Sequence, residues 1–134
     1  RSLALLAQCI SQTVQQAGGH AELQAESAAV AHALQALLDA TRAAWSTRQP
    51  DEALANATPY LQAFGHVVVA WLWLEVARVA VAAVAGKEDA FLRGKLQAAR
   101  YFFAFELPKI DAWLAVVAAR NPTCREMQDA WFES

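Results

Sequence analysis

The stretch from Val67 to Ala85 restricts the fold more than any other part of this chain. Its 19 residues are almost all apolar, and charge interrupts them only at Glu75 and Arg78. Two settings suit such a segment. A helix of about that length can cross a bilayer, and a helix apolar on every side also fits the middle of a bundle, where neighbours cover most of it. Glu75 and Arg78 decide between them. They stand three residues apart near the middle, where each would cost about 3 kcal/mol in hydrocarbon, and no basic flank sets an orientation. The expectation is therefore the central helix of a soluble bundle, with no membrane partner.

The rest of the chain supplies helices to surround it. At 134 residues the length fits one domain. The hydrophobic share is 57%, much of it alanine, the residue that forms helix at least cost. With only 5 Gly and 4 Pro there are too few turn signals for an all-β chain. Leu3, Leu6, Ile10, Val14 and Ala17 recur at helical spacing over residues 2–17, and Gly18-Gly19 ends that pattern. A second helix is expected over residues 21–48, apolar at Leu23, Val30, Leu34, Leu37, Leu38 and Trp45 and stopped by Pro50. A third runs from about Asp51 to Ala85. Pro59 either kinks it or marks its true start, with Thr58 as the N-cap.

Gly86 makes the next turn, and a fourth helix follows from about Lys87 to Arg120. Its stripe is Leu92, Leu96, Ala99, Phe103, Leu107, Ile110, Leu114 and Val117, with Arg93, Gln97, Arg100 and Asp111 opposite and a kink expected at Pro108. On that assignment Phe103 is a core residue and Arg93 a surface one. Thr123 and Glu126 have the spacing of a capping box for a short last helix whose Met127, Trp131 and Phe132 should tuck against the bundle. Short connections make sequential helices antiparallel. The fold class is all-α: an up-and-down antiparallel bundle of about four main helices plus a short C-terminal helix, in a single domain over residues 1–134.

Several function classes drop out. Net charge is −2 and the 11 basic residues are scattered, so nucleic acid has no stripe to follow. Cys9 and Cys124 have no metal-ligand spacing; a staple joining the two ends of the chain is one reading of them, and two reduced thiols of a cytoplasmic protein are the expectation. His20, His32 and His66 lack a second ligand at three or four residues, and no HExxH, P-loop, GxGxxG or GxSxG occurs. No catalytic, cofactor-binding or metal-binding residue is assigned.

Folding the third and fourth helices about Gly86 brings two polar pairs into register: Glu75 with Lys95 or a neighbouring cation, and His66 with Glu106. A histidine–carboxylate pair can move a proton, but such pairs are far more often structural hydrogen bonds. Five aromatic residues point to a second surface. Trp71 and Trp73 lie about 200° apart around one helix, and Tyr101, Phe102 and Phe105 share nearly one turn with Phe103. They cannot all enter one core, so some are candidates for an interface with another domain or subunit.

Certain segments resemble a known family. They are Asn56-Ala57-Thr58-Pro59-Tyr60-Leu61, Phe64-Gly65-His66-Val67-Val68, Trp71-Leu72-Trp73-Leu74, Phe91 through Phe103, Glu106-Leu107-Pro108, Met127-Gln128-Asp129 and Trp131-Phe132. Together, over about residues 21–134, they are similar to the acetyl-CoA dehydrogenase C-terminal-like domain of bacterial acyl-CoA dehydrogenases, in a subgroup including methylthiopropionyl-CoA dehydrogenases. Residues 1–20 carry none of the resemblance. It implies a larger flavoenzyme of which this chain, beginning at Arg1, is a C-terminal fragment. The parent would oxidise acyl-CoA to enoyl-CoA, with a glutamate taking the α-proton and FAD accepting the hydride. Those catalytic and FAD-binding segments lie upstream in the family, so the fragment itself would hold no cofactor. Its implied partners are the rest of the parent enzyme or a second subunit of a homo-oligomer.

Overall fold

A computed structural model describes residues 1–86 and 89–133. The described residues form helices and turns and no strand. In order they are α1 (Ser2–Ala17), a 3₁₀ turn (Ala21–Leu23), α2 (Gln24–Ala44), the single turn α3 (Pro50–Ala53), the long α4 (Ala57–Val84), α5 (Ala90–Tyr101), a π-helical turn (Phe102–Glu106), a 3₁₀ turn (Leu107–Lys109), α6 (Ile110–Ala118) and a last 3₁₀ turn (Asp129–Phe132). The architecture is the expected all-α bundle. Pairings across helices fix its directions: Thr41 meets Tyr60, Asn56 meets Asn121, and His66 meets Glu106, so α4 runs against both α2 and the α5–α6 rod. Central α4 touches α1, α2, α5 and α6.

Local chemistry sets the boundaries. The second helix stops at Ala44 rather than 48, through a turn that leaves Arg48 at φ +56°. The expected third helix is two pieces, because the chain breaks between Ala53 and Ala57. Pro59 falls in the first turn of α4, where its missing N–H removes no helical bond. Thr58 is not the cap. The residue before α4 is Asn56, whose amide instead donates across the bundle to the Asn121 and Val116 carbonyls at 3.0 and 3.4 Å. Gly86 turns at φ +75°, a backbone conformation that favours glycine. The expected helix start at Lys87 lies outside the described residues. Asp89 caps α5 by accepting the Leu92 N–H at 3.2 Å.

Pro108 acts as expected, in a specific way. A regular helix would press its ring against the Ala104 carbonyl. The chain answers with the π turn just before it and the tight turn around it, then resumes as α6. Leu96, Ala99, Leu107, Ile110, Leu114 and Val117 are buried, but Phe103, inside the π turn, is only half-buried. At the C-terminus the capping box does not form. The Thr123 N–H donates to Asn121 Oδ1 at 3.0 Å, and the Glu126 N–H to the Pro122 carbonyl at 2.9 Å. Met127, Trp131 and Phe132 do not tuck in; all three are exposed.

The core is built on close helix approach. Along α4 the buried positions are Ala63, Val67, Ala70, Leu74, Ala77, Ala80 and Val84. Alternating small and branched residues let neighbouring backbones come near while branched side chains fill the space between. At the far end, Arg120 takes φ +50° to close α6. Its guanidinium donates to the Ala43 carbonyl at 2.8 Å and Ser46 Oγ at 2.9 Å. A cation thus satisfies the C-terminal end of α2.

Candidate functional site

Two polar clusters lie against α4. The first centres on Thr13, a buried residue of α1. Its hydroxyl has one proton and donates it to Glu75 Oε1 at 2.6 Å, a closer acceptor than the Cys9 carbonyl at 3.3 Å. It accepts from Trp71 Nε1 at 2.8 Å. Arg78 completes the set with a 2.8 Å bond to Glu75 Oε2. The Arg78 bond, and after it the Thr13 bond, hold the Glu75 carboxyl below its ordinary range, against a smaller opposing effect of burial. The cluster ties α1 to α4, while the Arg78 Nε–H is left buried without a partner among the described residues. Of the two expected kinds of partner for Glu75, it is the neighbouring cation, Arg78, and not Lys95 that pairs with it. Lys95 points to the other side of the hairpin, where its ammonium lies 5.2 Å from the Phe91 ring centre. Thr13 was missed in the sequence. The signal was there: a hydroxyl in line with Ile10 and Ala17 on an otherwise apolar stripe.

The second cluster contains His66 and Glu106. His66 Nε2 lies 3.4 Å from Glu106 Oε2, and Lys109 Nζ lies 2.7 Å from the same oxygen. Lys109 is the main reason that the Glu106 carboxyl sits below its ordinary range, with His66 a lesser one. The His66 ring stands edge-on to Trp113 at 4.8 Å and near Phe102 at 5.7 Å. A carboxylate held by a lysine, beside a histidine clamped between aromatic rings, is a braced contact between α4 and the π turn. A general base needs its lone pair free to reach a substrate proton. Here one oxygen of the carboxylate, Oε2, is already engaged by both Lys109 and His66.

The interface candidates divide. Trp71 is half-buried and spends its N–H on Thr13; Trp73 and Phe102 are half-buried too. Tyr101 and Phe105 are exposed and stack on each other with ring centres 4.8 Å apart. The larger exposed surface was not foreseen. Val69, Leu72, Val76 and Val79 of α4 are 39%, 50%, 40% and 56% exposed. The helix expected to be buried on most sides is open along one of them. Its length and mean hydropathy would also let it cross a membrane, a weak sign that core helices share.

The sequence matches the acetyl-CoA dehydrogenase C-terminal-like family over residues 6–128. The chain belongs to that family. The match takes in most of α1, which the quoted segments left out, and stops just before the last 3₁₀ turn. No curated protein and no solved structure matches the chain.

This acetyl-CoA dehydrogenase C-terminal-like domain has several open grooves, some of them apolar. One of about 340 Å³ lies under the 45–56 connection, with Trp45, Leu54 and Leu61 at its mouth and Thr41 and Tyr60 on its wall. The Thr41 hydroxyl donates to the Leu37 carbonyl at 2.7 Å, so Tyr60 donates to Thr41. The wall therefore offers oxygen lone pairs and no cation. It suits an apolar group and offers nothing to the phosphates of a coenzyme A. Among the described residues no three His, Cys, Asp or Glu side chains converge as a metal site, and Cys9 and Cys124 are free and exposed.

Proposed function

We propose that this domain is a non-catalytic structural and interface element of a cytoplasmic, FAD-dependent acyl-CoA dehydrogenase, in the subgroup that includes methylthiopropionyl-CoA dehydrogenases. The parent oxidises acyl-CoA to enoyl-CoA, and its flavin and catalytic glutamate belong to the upstream body. The observation that carries this reading is the pairing of family membership with an uncovered apolar face on the central helix. The two polar clusters fit it: each braces α4 against a neighbour and leaves no carboxylate or imidazole aimed into a groove.

Two measurements test it. The reading frame upstream of Arg1 is expected to encode the FAD-binding body, and a start codon just before Arg1 would remove the proposal. The purified chain is expected to be colourless and to reduce no dye when given acyl-CoA. The 340 Å³ groove favours one other reading, a module that binds a hydrophobic ligand. Acyl-CoA or a fatty acid would then raise the melting temperature by mass action. No rise is expected at any ligand concentration up to solubility.

A further inference from the structure

The connection from α2 to α4 is fastened differently from the one between α1 and α2. In the latter, Leu23 is buried in the core. Residues 46–56, with the single turn α3, wall the 340 Å³ groove through Ala53 and Leu54, yet α3 buries no side chain and Leu54 is 58% exposed. Among the described residues, the backbone bonds of this segment are local. The Arg48 N–H donates to the Trp45 carbonyl at 3.0 Å, Ala53 to Gln49 at 3.0 Å, Leu54 to Pro50 at 2.8 Å and Ala57 to Leu54 at 3.2 Å. The segment is thus a folded unit that core burial does not hold down.

What holds it is polar and comes from one place. Among the described residues, each hydrogen bond or ion pair that ties 46–56 to a distant part of the chain ends in residues 116–125. Arg120 donates to Ser46 Oγ at 2.9 Å, and Asn56 Nδ2 donates to the Asn121 and Val116 carbonyls at 3.0 and 3.4 Å. Arg125 lies 3.4 Å from the Glu52 carboxylate. Such bonds exchange for bonds to water at small net cost. Segment and tie each also hold a left-handed residue other than glycine, Arg48 at φ +56° and Arg120 at φ +50°. That backbone is costly for a side chain with a Cβ, and a few such positions can absorb the angle change when a segment swings.

We infer that residues 46–56 are a lid over this groove, that residues 120–125 are its latch, and that the lid opens as one body while the long helices stay folded. What it covers is specific. Ala44 and Val117 line the groove and are only 4% and 3% exposed, so releasing Ala53 and Leu54 brings water to both. The latch begins the C-terminal segment, whose Met127, Trp131 and Phe132 are exposed. The position of that segment therefore sets the lid. Drawn against the bundle, it presents Arg120, Asn121 and Arg125 together; drawn away, it withdraws the ties to Asn56 and Glu52. The device needs no ligand and no flavoenzyme body, and it stands apart from the reading above.

The test is the rate at which dithiobis-nitrobenzoate modifies a thiol placed at the groove floor by Ala44→Cys, with Cys9→Ser and Cys124→Ser removing the exposed native thiols. Ala70→Cys in the same background places a fully buried thiol on α4 and reports opening of the whole bundle. The floor thiol is expected to react at least ~10-fold faster than the α4 thiol, and far more slowly than an exposed one. R120G/R125A removes both latch cations and keeps a residue suited to the left-handed turn. It is expected to speed the floor thiol at least ~10-fold further and to leave the α4 thiol unchanged. Equal rates at the two positions would show that the floor opens only when the bundle unfolds, and would overturn the inference. A floor thiol that reacts at once would show that nothing covers it, and would overturn it too. So would indifference to R120G/R125A, or equal acceleration at both positions. Should that variant lose helical circular dichroism, R125A alone replaces it, with about a threefold rise expected at the floor and none on α4.

Discussion

Along α4 the inner face runs Ala63, Val67, Ala70, Leu74 and Ala77, and the outer face runs Gly65, Val69, Leu72, Val76 and Val79. The two share a rhythm and a chemistry, yet the inner residues are 0–1% exposed and the four large outer ones 39–56% exposed. The difference lies in the neighbours. Facing α1, α2 and α6, small residues let helices close in. On the outer side larger valines and leucine stand free. Apolar character alone therefore does not tell a core face from an uncovered one. Side-chain size within the repeat is the better guide: small where backbones meet inside the bundle, larger where the helix is left uncovered.

The sharpest way to break this comparison is to truncate one leucine on each face. Leu74→Ala, at full burial, should cost about 3–4 kcal/mol of folding stability in urea titrations. Leu72→Ala should cost under ~1 kcal/mol, since half of that side chain is already in water. Equal losses would show that the two faces are not different in kind.

A second pair concerns the far helix. Phe103, read as core from its spacing, is half-buried in the π turn. Phe103→Ala should therefore cost roughly 1–3 kcal/mol instead of the 3–5 of a full core deletion. Arg93 makes only a 3.6 Å exposed contact with Glu22, and Arg93→Ala should shift stability by less than about 0.5 kcal/mol. Matching melting temperatures would show that Phe103 packs against nothing that matters.

The smallest effect is set by pH. The Glu75 carboxyl titrates lower in the folded chain than in the unfolded one, so the folded state binds fewer protons there. Its contribution is complete above the ordinary value near 4.5 and fades as pH falls through that value and on through the lowered one. Glu75→Gln should flatten the fall in melting temperature between about pH 6 and pH 3. An unchanged acid slope would mean that the Thr13–Glu75–Arg78 cluster holds no titratable stability.

Much of the fold was legible in the sequence. The apolar run at 67–85, Gly86 and the stripe through Leu96, Leu107, Ile110 and Leu114 define the hairpin without coordinates, because helical periodicity and a left-handed glycine are local signals. Hairpin register also brought His66 opposite Glu106. The same arithmetic offered Lys95 to Glu75, where the neighbouring Arg78 and Thr13 are the partners. It counts residues along axes and says nothing about the side of the helix from which a carboxylate leaves, and Thr13 on α1 offered a bond that no count within the hairpin could show. Pro108 announced a kink, but not that a π turn would swing Phe103 part-way out. Trp131 and Phe132 misled because aromatic content reads as core whether or not a groove exists to receive it.

The π turn has one more consequence. It stores a surplus residue relative to an unbroken helix, so the rod from Ala90 to Ala118 is two separately phased pieces. Removing a single residue between Phe102 and Glu106 would use up that slack and need not turn α6 through a full 100° step. The middle of this rod should thus tolerate a length change that would scramble the packing of α4, where no such reserve exists.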